Sequence, residues 1–346
     1  MGMSSAESEA LRSQLAAYLA AETGSSVVIS NVVPLAGGAS RDSWAFDACF
    51  NGGTVLRFVL RRDLPTTMNA DALSRAQEFR LMAAAHAHGV KVAQVCWLCD
   101  DPAPLGMPFL IMSFVEGISV GRKVISLPGL AEARQNLGRQ MAEQLALIHT
   151  LDWRSAQLDF LREPRDGHPA QNAIFGCREV LDTLGAHLPA AELVLRWLEC
   201  HAPSSDALTL VHGDFRLGNL LIDKSGLAAV IDWEFAHVGD PHEELGYLCM
   251  RDWRFGSDAL RASGISEREP FLLAYEQTSG AVVNRRTVTW WEILGNIRWA
   301  IICLNQAQRH LSGEDPSVEL ASLGRRSVEM QAEALRLIKR GLEAQA

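Results

Sequence analysis

At 346 residues, with 48% hydrophobic and 21% charged residues, the chain can bury a large core as one bilobal unit or as two domains. A formal net charge of −9 argues against a nucleic-acid partner, whose footprint would be basic. No apolar run is long enough for a membrane span, residues 1–10 lack the basic start and apolar core of a signal peptide, and scattered cysteines fit a reducing, cytoplasmic setting.

Ser4 to Glu22 predicts an amphipathic helix with Leu11, Leu15, Tyr18 and Leu19 on one face. Val27–Leu35 and Trp44–Phe50 predict strands joined by Gly37-Gly38-Ala39-Ser40-Arg41, and Thr54–Arg61 predicts a third strand. Glycine at such a turn lets main-chain N–H groups approach an anion. The pattern G-x-x-x-x-G-K-[ST] is absent, which excludes a P-loop enzyme. Ala72–His88 has helical periodicity and ends at Gly89. Val92–Leu98 and Pro108–Phe114 predict two more strands, joined by an acidic, Pro-rich turn. Cys96 and Cys99 form a C-x-x-C with no second pair, which predicts core packing rather than zinc.

Pro128–Leu151 predicts one long helix, and further helices are predicted around Ile174–Leu184 and Ala190–Cys200. Asp240 followed by Pro241 predicts the N-cap and first position of a helix. In the predicted helix Thr287–His310, Trp291, Leu294, Ile297, Ile301 and Leu304 mark a buried face. Ser317–Leu342 predicts a closing amphipathic helix.

The chemistry concentrates between Val211 and Glu234. Two apolar runs, Leu220–Asp223 and Leu227–Ile231, predict short strands around the turn Lys224-Ser225-Gly226. Asp214, Asn219 and Asp232 stand where the chain enters and leaves them. Two carboxylates and an amide oxygen make a hard-oxygen set suited to Mg²⁺. The order Asp-x-x-x-x-Asn with a later Asp has the spacing of a kinase catalytic loop and metal-binding Asp. His212-Gly213-Asp214 with Asn219, followed by Ile231-Asp232-Trp233-Glu234, resembles the aminoglycoside phosphotransferase family, the small-molecule branch of the protein-kinase-like fold.

That resemblance implies an α+β, bilobal protein-kinase-like fold: an N-terminal antiparallel sheet lobe and a mostly helical C-terminal lobe. It implies a nucleotide-binding lobe over residues 1–112, with the leading helix 4–22. A hinge at 113–118 and a catalytic and acceptor-binding lobe at 119–346 follow. ATP, or GTP, would bind with Mg²⁺. Gly37, Gly38, Ala39 and Ser40 would cover the phosphates. Arg61 falls where kinases carry a phosphate-binding Lys, and Glu78 matches the helix Glu that pairs with it. An Arg there is a departure, shared by the kinase domains attached to acyl-CoA dehydrogenases. The Ser113 carbonyl and Val115 amide would read the nucleotide base. Asn219 and Asp232 would hold the metal, and Asp214 would be the catalytic base. His212 and His149 are expected to pack and hold the loop rather than transfer protons.

Seven residues separate Asp232 from Asp240, too few for a long activation loop that docks a protein, so the acceptor is expected to be a small molecule. An aminoglycoside or macrolide, a choline-like alcohol and a hydroxyacyl compound all remain open. Trp233 replaces the Phe-Gly of regulated kinases, which implies a constitutively formed metal site. Trp253, Trp290 and Arg298 read either as core or as lining of the acceptor pocket. A catalytically silent, nucleotide- or metabolite-binding pseudokinase is the competing reading. The Lys-to-Arg change supports it; the intact Asp214, Asn219 and Asp232 oppose it.

Overall fold

The computed structural model describes residues 5–35, 41–63, 72–205 and 207–343, so the predicted phosphate turn at Gly37, Gly38, Ala39 and Ser40 lies outside the described residues. The chain divides into two compact units. The first holds the described residues up to Gly117 together with Ala228–Phe235, and the second holds Ile118–Leu227 and the chain from Ala236 onward.

The first unit opens with α1 (Ser5–Thr23), followed by β1 (Val27–Pro34), β2 (Arg41–Phe50) and β3 (Val55–Asp63). Then come α2 (Arg75–Ala87), β4 (Val95–Cys99) and β5 (Phe109–Ser113). The strands form one sheet in the order β1-β2-β3-β5-β4 with every neighbouring pair antiparallel. Trp44, Phe46 and Ala48 recur at every second position of β2 and so share one face. Leu11, Leu15, Tyr18 and Leu19 of α1 pack on that face with Phe58, Phe109 and Ile111. Each such side chain stabilises the fold by roughly 1.5–3 kcal/mol when fully buried. Cys96 and Cys99 are free thiols, partly buried against the same cluster.

A capping box starts α2: the Ser74 hydroxyl accepts the Gln77 N–H at 3.3 Å, and the Gln77 side chain accepts the Ser74 N–H at 2.9 Å. The inner face of α2 is not wholly apolar. Arg75 and Glu78 are buried beside Leu81, Met82 and Ala85, while Phe79 is only half-buried.

The second unit is mostly helical. It runs through α3 (Gly121–Ser126), α4 (Ala131–Thr150), α5 (Pro169–Leu184) and α6 (Pro189–Cys200). The short strands β6 (Thr209–Val211) and β7 (Leu220–Asp223) follow, and the chain leaves this unit along β8 (Gly226–Val230). It returns to form β9 (His237–Gly239), antiparallel to β6. The remainder is α7 (Pro241–Tyr247), α8 (Arg268–Ser279), α9 (Arg285–Leu311), α10 (Val318–Leu323) and α11 (Arg326–Glu343).

The core of this unit is the apolar face of α9. Trp290, Trp291, Leu294, Ile297 and Ile301 meet Leu195 and Leu198 of α6 and Leu337 of α11. The predicted face holds except at its end, where Cys303 is buried and Leu304 only half-buried. Two predicted helices are interrupted. Pro128–Leu130 is a separate 3₁₀ turn before α4, and the closing helix breaks into α10 and α11 at Gly324-Arg325. A Cβ at Gly324 would come within 2.9 Å of the Ala307 Cβ, so glycine lets the chain turn close against α9. Among the described residues no helix is long and apolar enough to cross a membrane.

Candidate active site

In the second unit, β6 delivers His212-Gly213-Asp214. Gly213 has φ +85°, a left-handed conformation that glycine adopts without steric cost. The turn is held from α7. Glu244 accepts the His212 N–H on Oε2 at 2.9 Å and the Gly213 N–H on Oε1 at 3.0 Å. Asp240 caps α7 by accepting the His242 N–H at 2.9 Å, with Pro241 in the first turn, so the helix start that carries Glu244 is locally fixed. His149 of α4 reaches Glu244 through Nε2 at 2.9 Å and the Tyr275 hydroxyl of α8 through Nδ1 at 2.8 Å. Burial alone would raise the Glu244 carboxyl, but the contacts with His149 and His212 outweigh it and hold the group below the usual carboxylate range. Glu244 thus spans two main-chain donors and a histidine.

The Asp214 carboxylate has three donors. Oδ1 accepts Arg216 Nε at 3.0 Å and the Tyr247 hydroxyl at 2.9 Å, and Oδ2 accepts Asn219 Nδ2 at 2.6 Å. Asn219 Nδ2 also donates to the Asp214 carbonyl at 3.0 Å. Both partners of that nitrogen are acceptors, which fixes the amide orientation. Asn219 Oδ1 is left without a protein partner among the described residues, and an amide oxygen is a fitting donor for a hard cation. The Asp214 N–H donates to His212 Nδ1 at 3.3 Å. Burial, reinforced by the neighbouring Asp214 charge, pushes the Tyr247 phenol well above its ordinary value, so it stays a proton donor to Asp214.

In the first unit, Asp232 follows β8 with φ +68°, a sparsely populated conformation for a residue with a Cβ. Its Oδ1 accepts Arg61 Nη2 at 3.1 Å, while Arg61 Nη1 donates to Glu78 Oε1 at 2.8 Å. The β3 arginine therefore forks between the two acids. Burial works to lower its pKa, but Glu78 and Asp232 outweigh that and raise it. Arg75 is a second buried guanidinium, paired with Glu78 and lying 2.9 Å from Asp63. Ser113 closes β5 with its N–H on the Gln94 carbonyl at 2.8 Å and its hydroxyl accepting the Gln94 N–H at 3.0 Å. The next residue, Phe114, donates to the Arg57 carbonyl at 3.0 Å, and the Val115 N–H has no partner among the described residues.

Arg61, Glu78 and Asp232 thus meet in one unit, and Asp214 and Asn219 meet in the other. Arg216, Tyr247 and Arg75 complete these arrangements without having been singled out by sequence. Their available signals were weak: an i, i+3 pairing of Arg75 with Glu78, and an i, i+2 spacing of Asp214 and Arg216 that any loop could carry. Trp290 is core, its Nε1 donating to the Leu198 carbonyl at 3.2 Å. Arg298 pairs with Glu243 at 3.1 Å and lines a small cavity with Gly213, Glu244 and Tyr247.

Residues 31–283 match the APH family, described as "Phosphotransferase enzyme family". The chain belongs to this family and has its kinase-like fold. It is similar to "Acyl-CoA dehydrogenase family member 10" of Mus musculus, with 35% identity over 197 residues. That match covers 56% of this chain but 18% of the relative, so the chain spans less than a fifth of that protein's length. Among solved structures it is similar to "a putative aminoglycoside phosphotransferase" from Ralstonia eutropha, with a TM-score of 0.75 and 25% identity, covering 95% of this chain and 98% of that one. A mutant of the aminoglycoside phosphotransferase APH(4)-Ia, in ternary complex with AMP-PNP and hygromycin B, shares the fold at a TM-score of 0.57 and 18% identity, covering 92% of this chain and 98% of that one.

Proposed function

We propose that the chain is an ATP-dependent phosphotransferase that moves the γ-phosphoryl group to a hydroxyl of a small molecule, with GTP as the alternative donor. The observation that carries this reading is the Asp214 carboxylate. It is fixed by Arg216, Tyr247 and Asn219 on a loop whose main chain is itself held by Glu244. The AMP-PNP complex of a similar fold supports a nucleotide as donor.

In this reading Asp214 accepts a hydrogen bond from the acceptor hydroxyl and takes its proton late in transfer. Arg216 and Tyr247 keep the carboxylate aimed. Arg61 offers its fork to phosphate oxygens, and Glu78 orients it. The main chain of Gly37, Gly38, Ala39 and Ser40 covers the phosphates, and Ser113 and Val115 read the base. Asn219 and Asp232 are the residues that would hold Mg²⁺, which when bound supplies charge neutralisation on the phosphate oxygens. Positioning and electrostatics supply most of the catalysis, because the transition state of phosphoryl transfer is loose.

The test is a phosphotransfer screen with labelled ATP, Mg²⁺ and a library of small alcohols. Asp214→Ala is expected to abolish transfer while the ATP-induced thermal shift persists. Near-normal turnover by that variant would remove Asp214 as base. Binding of ATP without turnover of any alcohol would favour a silent nucleotide-binding module.

A further inference from the structure

The fork of Arg61 has a cause outside Arg61 itself. A guanidinium facing a carboxylate favours engaging both oxygens with two parallel N–H groups. Arg61 does not do so. It gives Glu78 one arm, Nη1 to Oε1 at 2.8 Å, and extends Nη2 to Asp232 Oδ1 at 3.1 Å. The other Glu78 oxygen, Oε2, is taken by Arg75 Nη1. Glu78 is fully buried, and Arg61 and Arg75 are 8% and 2% exposed, so each carboxylate oxygen is claimed by a different buried arginine rather than by solvent.

Arg75 is fixed in this place, and against local preference. It is the first residue of α2, directly after the Ser74 capping box and one turn before Glu78. The Leu73 N–H donates to the Glu234 carbonyl at 2.9 Å, which ties the start of the helix to the turn that carries Asp232. A cation in the first turn faces the positive end of the helix dipole, and a buried guanidinium gives up its hydration. Asp63, 2.9 Å from Arg75 Nε, offsets part of that cost. Side chains that break local rules in this way concentrate where function requires them.

Resting on the phosphotransferase reading above, we propose that Arg75 is a positioning residue for phosphate binding. By occupying Glu78 Oε2 it prevents Arg61 from closing both arms on Glu78, and so keeps Nη2 available to Asp232 and to the phosphate oxygens of an arriving nucleotide. Arg75 acts only through Glu78 and Arg61. A lysine on β3 would need no such companion, because an ammonium is a point charge with no second arm to direct.

The test measures the binding of ATP with Mg²⁺, and of adenosine, by titration calorimetry. Adenosine lacks phosphates, so it reports any general damage to the unit. Arg75→Met is expected to raise the Kd for ATP about tenfold and to leave that for adenosine within about twofold. Arg75→Lys, which keeps a charged donor for Oε2, should restore ATP affinity to within about threefold. In an Arg61→Lys background the same Arg75→Met change should alter ATP affinity by less than about twofold. Equal losses in the two backgrounds would overturn the proposal, because they would report only a missing positive charge. So would parallel losses for ATP and adenosine, or an unchanged ATP affinity in Arg75→Met. If Arg75→Met does not fold, a crystal structure of the unmutated protein with ATP decides the matter. Arg75 on Oε2, with Arg61 dividing its arms between Oε1 and a phosphate oxygen, is the expected result; a two-armed Arg61–Glu78 pair would refute it. Failure of the unmutated protein to bind ATP would remove the phosphotransferase reading, and this proposal with it.

Discussion

Glu244→Gln tests how the catalytic loop is held. The carboxylate is 1% exposed and receives the N–H groups of His212 at 2.9 Å and Gly213 at 3.0 Å, one on each oxygen, with His149 at 2.9 Å. Glutamine has the same size but one acceptor oxygen. Its NH₂ end would face a main-chain N–H, donor against donor, with no water to relieve it. Loss of a charge-assisted bond costs about 1.5–3 kcal/mol, and a buried unsatisfied donor costs about 1–3 kcal/mol more. The unfolding free energy should therefore fall by about 3–5 kcal/mol, measured from the urea midpoint at constant m. Displacement of Asp214 by a fraction of an ångström to an ångström should lower kcat by up to about a hundredfold, with the KM for ATP little changed. Glu244→Asp keeps the charge but is one methylene short, so it should fall between the two. If Glu244→Gln unfolds at the wild-type urea concentration and turns over at the wild-type rate, the loop is held by something else.

Three further outcomes follow from other contacts. Asp232→Ala should weaken Mg·ATP binding by about tenfold or more while leaving the Asp214 loop intact, which titration calorimetry with and without Mg²⁺ would reveal. Gly246→Ala should destabilise by several kcal/mol in thermal unfolding, because its Cβ would sit 2.6 Å from the Glu292 nitrogen on the main chain of α9, an overpacking that a side-chain rotation cannot relieve. Burial works to raise the Glu243 carboxyl, but His237 and Arg298 more than compensate and hold it at about 2. Its folded-state pKa is depressed, so its stabilisation is complete above the unfolded value and is lost as pH falls from about 4.5 to about 2. That loss is on the order of 3 kcal/mol, and Glu243→Gln should flatten this part of the acid unfolding curve.

Much of the fold was legible because it rests on periodicity. Leu11, Leu15, Tyr18 and Leu19 are buried where a helical stripe placed them, and alternation in β2 is matched by the sheet. The elements that escaped were short or polar. The three-residue strands β6 and β9 offer too few positions for alternation to register. In α8 only Phe271, Leu272 and Tyr275 are buried, while the apolar Leu273 between them is exposed, so local hydrophobicity does not mark the buried stripe. The breaks at Pro128–Leu130 and at Gly324 follow tertiary packing that a local pattern does not carry. For the site, the motif around Asp214 pointed to the acids and the amide. It could not point to Tyr247, thirty-three positions away, whose hydroxyl meets Asp214 only after α7 folds back beside β6. Arg75 was hidden for a different reason: a charged residue on a helix is ordinarily solvated, and here it is buried because Glu78 and Asp63 accompany it.

The Arg61 fork has a thermodynamic consequence. Before any ligand arrives, Asp232 already has an internal counter-ion, Arg61 Nη2 at 3.1 Å. On the proposed phosphotransferase reading, a divalent cation that claimed the carboxylate would free one arm of the guanidinium, the other staying on Glu78, and a phosphate that claimed that arm would free the carboxylate. Each newcomer would break the bond the other would otherwise have to break, so nucleotide and metal would be coupled by displacement of a shared placeholder. By reciprocity each would then tighten the other by the same factor.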